Sequence, residues 1–165
     1  MGLFLILAAS LAATGEGAPI APPAVLRYEP QCILRAVAWH MGFNPRWDIP
    51  LPALRYESRT PLRDFQDAIE TQWGLRPDAF TNAFAERSNE IFLIDEARYY
   101  AKLRRFIDDS LAHEYAHYVQ FHYRKQHMVP EDDTLEYEAI AVQTWFRDTY
   151  FRSPAPVPDP CRPGP

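Results

Sequence analysis

The sequence predicts an α+β fold, mainly helical with a small sheet, and three observations lead there. The apolar run Glu90 to Asp95 (EIFLID) is short, follows the breakers Ser88-Asn89 and reads as a strand. Longer stretches carry apolar residues at helical spacing, the clearest being Leu103, Ile107, Leu111, Tyr115 and Tyr118. With 47% hydrophobic and 14% aromatic residues, a chain of 165 residues can bury one core in one domain.

Taken in order, the chain opens on an apolar run, Leu3 to Ala13, too short to span a bilayer. Small residues from Ala12 to Ala18 suit a signal peptidase, although only the amino terminus supplies positive charge ahead of the run. Residues 1–18 are expected to be a signal peptide. The mature chain is then secreted or periplasmic, with no stable membrane insertion after cleavage. Residues 19–152 form the expected domain and residues 153–165 a proline-rich, disordered tail.

After an extended leader, Pro30 suits the first position of a helix over Gln31 to His40, which Gly42 and Asn44-Pro45 stop. Leu54 to Ser58 reads as a short strand. Thr60-Pro61 opens a helix from Leu62 to Trp73, which Gly74 ends. Pro77 to Ser88 is ambiguous and reads as a short helix and turn. Helices are expected over Ala97 to Arg105, over Phe106 to Gln126, and from the acidic turn before Thr134 to Tyr150. Asp133 and Glu136 have the spacing of a capping box, with Thr134 as the other candidate cap.

The net charge of −5 and a pI near 5.5, with no basic run, leave no electrostatic footprint for nucleic acid or an anionic membrane. The two cysteines, Cys32 in the first helix and Cys161 in the tail, could pair in an oxidising compartment. Two unpaired thiols is the other reading of them.

The chemistry concentrates in Ser110 to Gln120, SLAHEYAHYVQ. His113 and His117 are four residues apart, so on a helix both imidazoles leave one face. That geometry offers two nitrogens to one divalent ion, with Glu114 beside it to hold a water as general base. This is the HExxH arrangement of zinc peptidases. The bland alternative is a buried helix with two hydrogen-bonded histidines. The uncharged flanks Leu111, Ala112, Tyr115, Ala116, Tyr118 and Val119 bury the helix on either reading.

Catalytic zinc generally has three protein ligands. A third histidine six residues after His117 is excluded, because Tyr123 stands there and His122 is one position off the face. His122, His40 and His127 read as structural or solvent-exposed. A carboxylate from a later helix is the other common solution, and Glu136-Tyr137-Glu138-Ala139 begins such a helix. Here the chain resembles the gluzincins, and in particular small bacterial zincin-like domains with LxHExxHxxQ followed by ExEAxxxQ. In this sequence the first motif runs from Leu111 to Gln120 and the second from Glu136 to Gln143. The resemblance spans about Glu90 to Tyr150.

It implies a zincin-like domain in which zinc is held by His113, His117 and Glu138. It also implies hydrolysis of a peptide or protein substrate by a metal-activated water, with Glu114 as general base. Glu138 is favoured because it adjoins Ala139, a small residue that lets the helices approach. Glu136, about 200° away around the helix, cannot face the metal at the same time. Tyr123, Tyr137, Arg147 and Tyr150 are the candidate oxyanion donors, and Gln120 and Gln143 the candidate acceptors behind the imidazoles. Two further readings stay open: a zincin-like domain that binds metal or a partner without catalysis, and a structural domain with an accidental motif.

Overall fold

The computed structural model describes residues 22–128, 133–154 and 159–161. The expected signal peptide lies outside them. The described residues form a mixed α+β fold, mostly helical, with five α-helices and a three-stranded sheet.

Helix α1 (Pro30–His40) starts on proline, whose missing N–H would have no partner in the first turn anyway. It buries Ile33, Leu34, Val37 and Ala38, and the chain turns away through Gly42 at φ +84°. Strand β1 (Ala53–Tyr56) passes through a 3-10 turn (Glu57–Arg59) into α2 (Leu62–Trp73). Gly74 closes α2 in the left-handed conformation at φ +66°.

The stretch read as a short helix and turn is instead strand β2 (Ala83–Ala85) and a tight turn. Asn89 at φ +53° brings β2 back against β3 (Glu90–Leu93). All three residues of β2 are buried, so neither a helical nor an alternating pattern was there to read.

The sheet order is β1-β3-β2, with β1 parallel and β2 antiparallel to the central strand. Phe65 and Ile69 of α2 pack on one face with Ala83, Ala85 and Phe92. Phe84, Ile91 and Leu93 on the other face join the main core of α1, α4 and α5. Covered on both faces, β3 shows the unbroken apolar run by which it was recognised.

Helix α3 (Ala97–Leu103) ends at Arg104, which turns left-handed at φ +53°. Helix α4 (Ile107–Arg124) follows, and Ile107, Leu111, Tyr115 and Tyr118 are buried along it as the spacing predicts. Leu103 is not part of that stripe, because the break at Arg104 leaves it on α3, partly exposed. Asp108 accepts the backbone N–H groups of Arg27 and Tyr28 (2.9–3.1 Å), tying the segment before α1 to the start of α4.

Helix α5 (Thr134–Tyr150) lies antiparallel on α4, so that Glu136 meets His117 and Gln143 meets Asp109. Its packed stripe is Leu135, Ala139, Val142, Phe146 and Tyr150. Asp133 makes no side-chain cap hydrogen bond, and the Glu136 carboxylate of the anticipated capping box turns to the histidines.

Cys32 and Cys161 form a disulfide across 129 residues. Residues 159–161 of the tail are therefore fastened to α1, and Arg35 also donates to the Cys161 carbonyl. Among the described residues no helix is long and apolar enough to cross a membrane.

Candidate metal centre

On α4 the four-residue spacing does what helical geometry requires, and both histidines turn their Nε2 atoms to one point. The two Nε2 atoms lie 3.2 Å apart. Glu136, in the first turn of α5, completes the group: its Oε1 is 3.4 Å from His113 Nε2 and its Oε2 is 3.2 Å from His117 Nε2. Among the described residues this is the one group of three or more His, Cys, Asp or Glu side chains able to share an ion, with ligand atoms within 4.8 Å of one another.

The separations can be tested against a metal. A tetrahedron with zinc–ligand bonds of about 2.0–2.1 Å has edges of about 3.3 Å, and the observed 3.2–3.4 Å agrees. Two imidazoles and one carboxylate are also the donor types that suit zinc. The residues present fit that ion.

Glu138, the carboxylate favoured from sequence, is not in the group. Arg124 Nη1 holds both its oxygens (2.8 and 2.7 Å), and Gln120 Nε2 donates to Oε2 (2.9 Å). The reason lies in the rotation of α5. Its packed stripe centres on Ala139, and the flank facing the histidines carries Glu136, Ile140 and Gln143 at helical spacing. Glu138 falls on the opposite flank. Ala139 does allow the close approach, but it serves the residue three positions before it.

The electrostatics follow the geometry. Hydrogen bonds from His113 and His117 hold the Glu136 carboxyl far below the usual carboxylate range, so it is ionised at neutral pH. Burial alone would lower the His117 pKa, but the Glu136 hydrogen bond, the Glu114 charge and the Gln120 contact outweigh it and raise the value. Glu114 is 3% exposed. Burial pushes its pKa up, while the two histidines and a hydrogen bond from the Phe84 backbone pull it back. A carboxyl raised in this way is a stronger proton acceptor than a solvated one.

Behind the imidazoles, His117 Nδ1 meets Gln120 Oε1 at 2.9 Å. Gln143 instead donates to Asp109 (3.0 Å). Among the described residues, His113 Nδ1 is buried without a hydrogen-bond partner. The other three histidines stand apart: His40 stacks on Trp145, His122 meets Asn89, and His127 meets Glu86.

The cluster opens on a cleft of about 210 Å³ lined by Thr81, Asn82, Tyr99, Arg105, Ile140 and Gln143 as well as the site residues. None of the four expected oxyanion donors lines it. Tyr123 accepts the Arg46 N–H, Tyr150 packs in the core, Arg147 lies by Asp109 and Asp148, and Tyr137 faces solvent. The tyrosine and arginine that do line it, Tyr99 and Arg105, sit on α3 and the turn after it. Only the break at Arg104 brings them over the cluster, and no spacing in the sequence announces that. Compared with protein-family profiles, with curated proteins and with solved structures, the chain matches none.

Proposed function

We propose that this chain is an exported zinc-dependent peptidase of the zincin type, with His113, His117 and Glu136 as metal ligands and Glu114 as general base. The observation that carries the reading is the convergence of three ligand atoms at tetrahedral-edge separations beside a buried carboxyl, in an open cleft. The Cys32–Cys161 disulfide supports export, since such bonds persist in oxidising compartments. When bound, zinc supplies Lewis acidity at neutral pH.

The chain's own residues supply the remainder. Glu114, raised by burial, takes the proton of the attacking water and returns it to the leaving amine. Tyr99 and Arg105 are the donors available to a developing oxyanion. Ile140 gives the cleft an apolar wall.

One observation favours a second reading, a metal-binding domain without turnover. The cleft, at about 210 Å³, is below the roughly 300–1,000 Å³ of ordinary ligand pockets. Glu114→Gln decides between them when assayed on a broad peptide pool with zinc content measured in parallel. Loss of about 10²–10⁴-fold in hydrolysis with zinc retained is the peptidase outcome. Wild-type protein that holds zinc and cleaves nothing in the pool is the binding-domain outcome.

A further inference from the structure

His117 can offer Nε2 to a metal only if the proton of its neutral ring sits on Nδ1. Nδ1 lies 2.9 Å from Gln120 Oε1, and whether that atom accepts depends on which way the Gln120 amide points. Its other end answers. Gln120 Nε2 lies 2.9 Å from the Leu135 carbonyl and 2.9 Å from Glu138 Oε2, both of which only accept. Flipping the amide would set its oxygen against two acceptors and its NH₂ group against the imidazole. The carboxylate is fixed in turn by Arg124, whose guanidinium stacks over Phe43 at 5.3 Å.

We propose that Arg124, Glu138 and Gln120 form a positioning relay that keeps the proton of His117 on Nδ1 and so presents Nε2 to the metal. The inference rests on the reading of the cluster as a metal site. It gives Glu138 a role one step removed from ligation: its charge orients an amide, and the amide selects a tautomer. Gln120 is 1% exposed, so its amide is shielded from water, while the Arg124 and Glu138 side chains behind it are 28% and 35% exposed. Among the described residues His113 Nδ1 meets no hydrogen-bond partner, so no such device is seen there. His117 is therefore the ligand whose orientation is fixed before the metal arrives.

The test is zinc affinity of the full chain, measured by competition with a chromophoric chelator, with far-ultraviolet circular dichroism to verify folding. Gln120→Leu removes the acceptor and is expected to weaken zinc binding about 10–100-fold. Glu138→Ala, which frees the amide to flip, is expected to cause a smaller loss. A reciprocal exchange, Gln120→Glu with Glu138→Gln, rebuilds an acceptor toward His117 and a donor behind it. It should bind zinc more tightly than Gln120→Glu alone, where two carboxylates face each other.

A folded Gln120→Leu protein with wild-type affinity overturns the proposal. Should that variant not fold, a double variant binding no better than Gln120→Glu alone overturns it. In the ¹⁵N-labelled wild-type chain without metal, at a pH where the His117 ring carries a single proton, a hydrogen-bonded proton on Nδ1 is the expected signal, and a bare Nδ1 overturns the relay. The two readings fail separately: the peptidase assignment falls if zinc-loaded wild type hydrolyses nothing, whereas the relay falls on affinities and protonation alone.

Discussion

At the scale of single residues, Glu136 and Glu138 illustrate how two carboxylates on one turn come to differ. Glu136 faces two imidazoles and is about half exposed, while Glu138 is clamped by a guanidinium and an amide. Glu136→Ala should therefore lower zinc affinity by more than 100-fold, beyond the 10–100-fold range of outer-shell changes, and Glu138→Ala should stay within that range. Equal losses in a chelator competition would contradict the assignment. Asp109 gives a second residue-scale prediction. Fully buried near the start of α4, its carboxyl is pushed up to about 6 by burial, against the hydrogen bonds from the Phe106 N–H and Gln143 and the nearby Arg147. The unfolded chain loses that proton near pH 4 while the folded one keeps it to about 6, so this group's contribution to stability falls as pH rises through that window. Its size is at most about 3 kcal/mol. Denaturant titrations at several pH values should show the slope in wild type and its loss in Asp109→Asn.

At the scale of elements, the site depends on how closely α5 lies on α4. Ala139 is fully buried at the crossing, between Leu135 and Val142 on the packed stripe. Ala139→Leu has no room there and should destabilise the fold by about 1–3 kcal/mol. It should also weaken zinc binding by displacing Glu136, and a thermal melt with a parallel zinc titration would register both. Strand β2 shows a second constraint. It is an edge strand, yet the Phe84 carbonyl accepts from Gln72, the Glu86 N–H donates to Gln72, and the Phe84 backbone also reaches Glu114. Its outer backbone groups are partly spent inside the molecule, which blunts the edge toward pairing with another chain.

At the scale of the whole molecule, sheet, helices and tail are fastened from both ends of the chain. Asp108 anchors the segment before α1 to α4, and the disulfide anchors the tail to α1. A bond closing 129 residues removes much freedom from the unfolded state. Cys32→Ser, or reduction of the native protein, should cost about 2–5 kcal/mol. Because neither cysteine takes part in the cluster's hydrogen bonds, zinc affinity of the folded variant should be unchanged, which a titration below its melting temperature would check.

Features that local geometry dictates can be read from the amino acids alone. Proline at the start of α1, glycine after α2 and the apolar run of β3 mark those elements because φ angles and burial act over a few residues. The histidine pair is legible for the same reason, since any α-helix puts residues 113 and 117 on one face. Strand β2 was not legible, being three residues long and buried throughout. Nor was the third member of the cluster. Which of two carboxylates meets the histidines depends on the rotation of α5 about its own axis, and that is set by the packing of Leu135, Ala139, Val142 and Phe146 against residues far away in the chain. Tyr99 and Arg105 reach the cleft by the same kind of long-range decision, through a turn at Arg104 that only tertiary packing fixes.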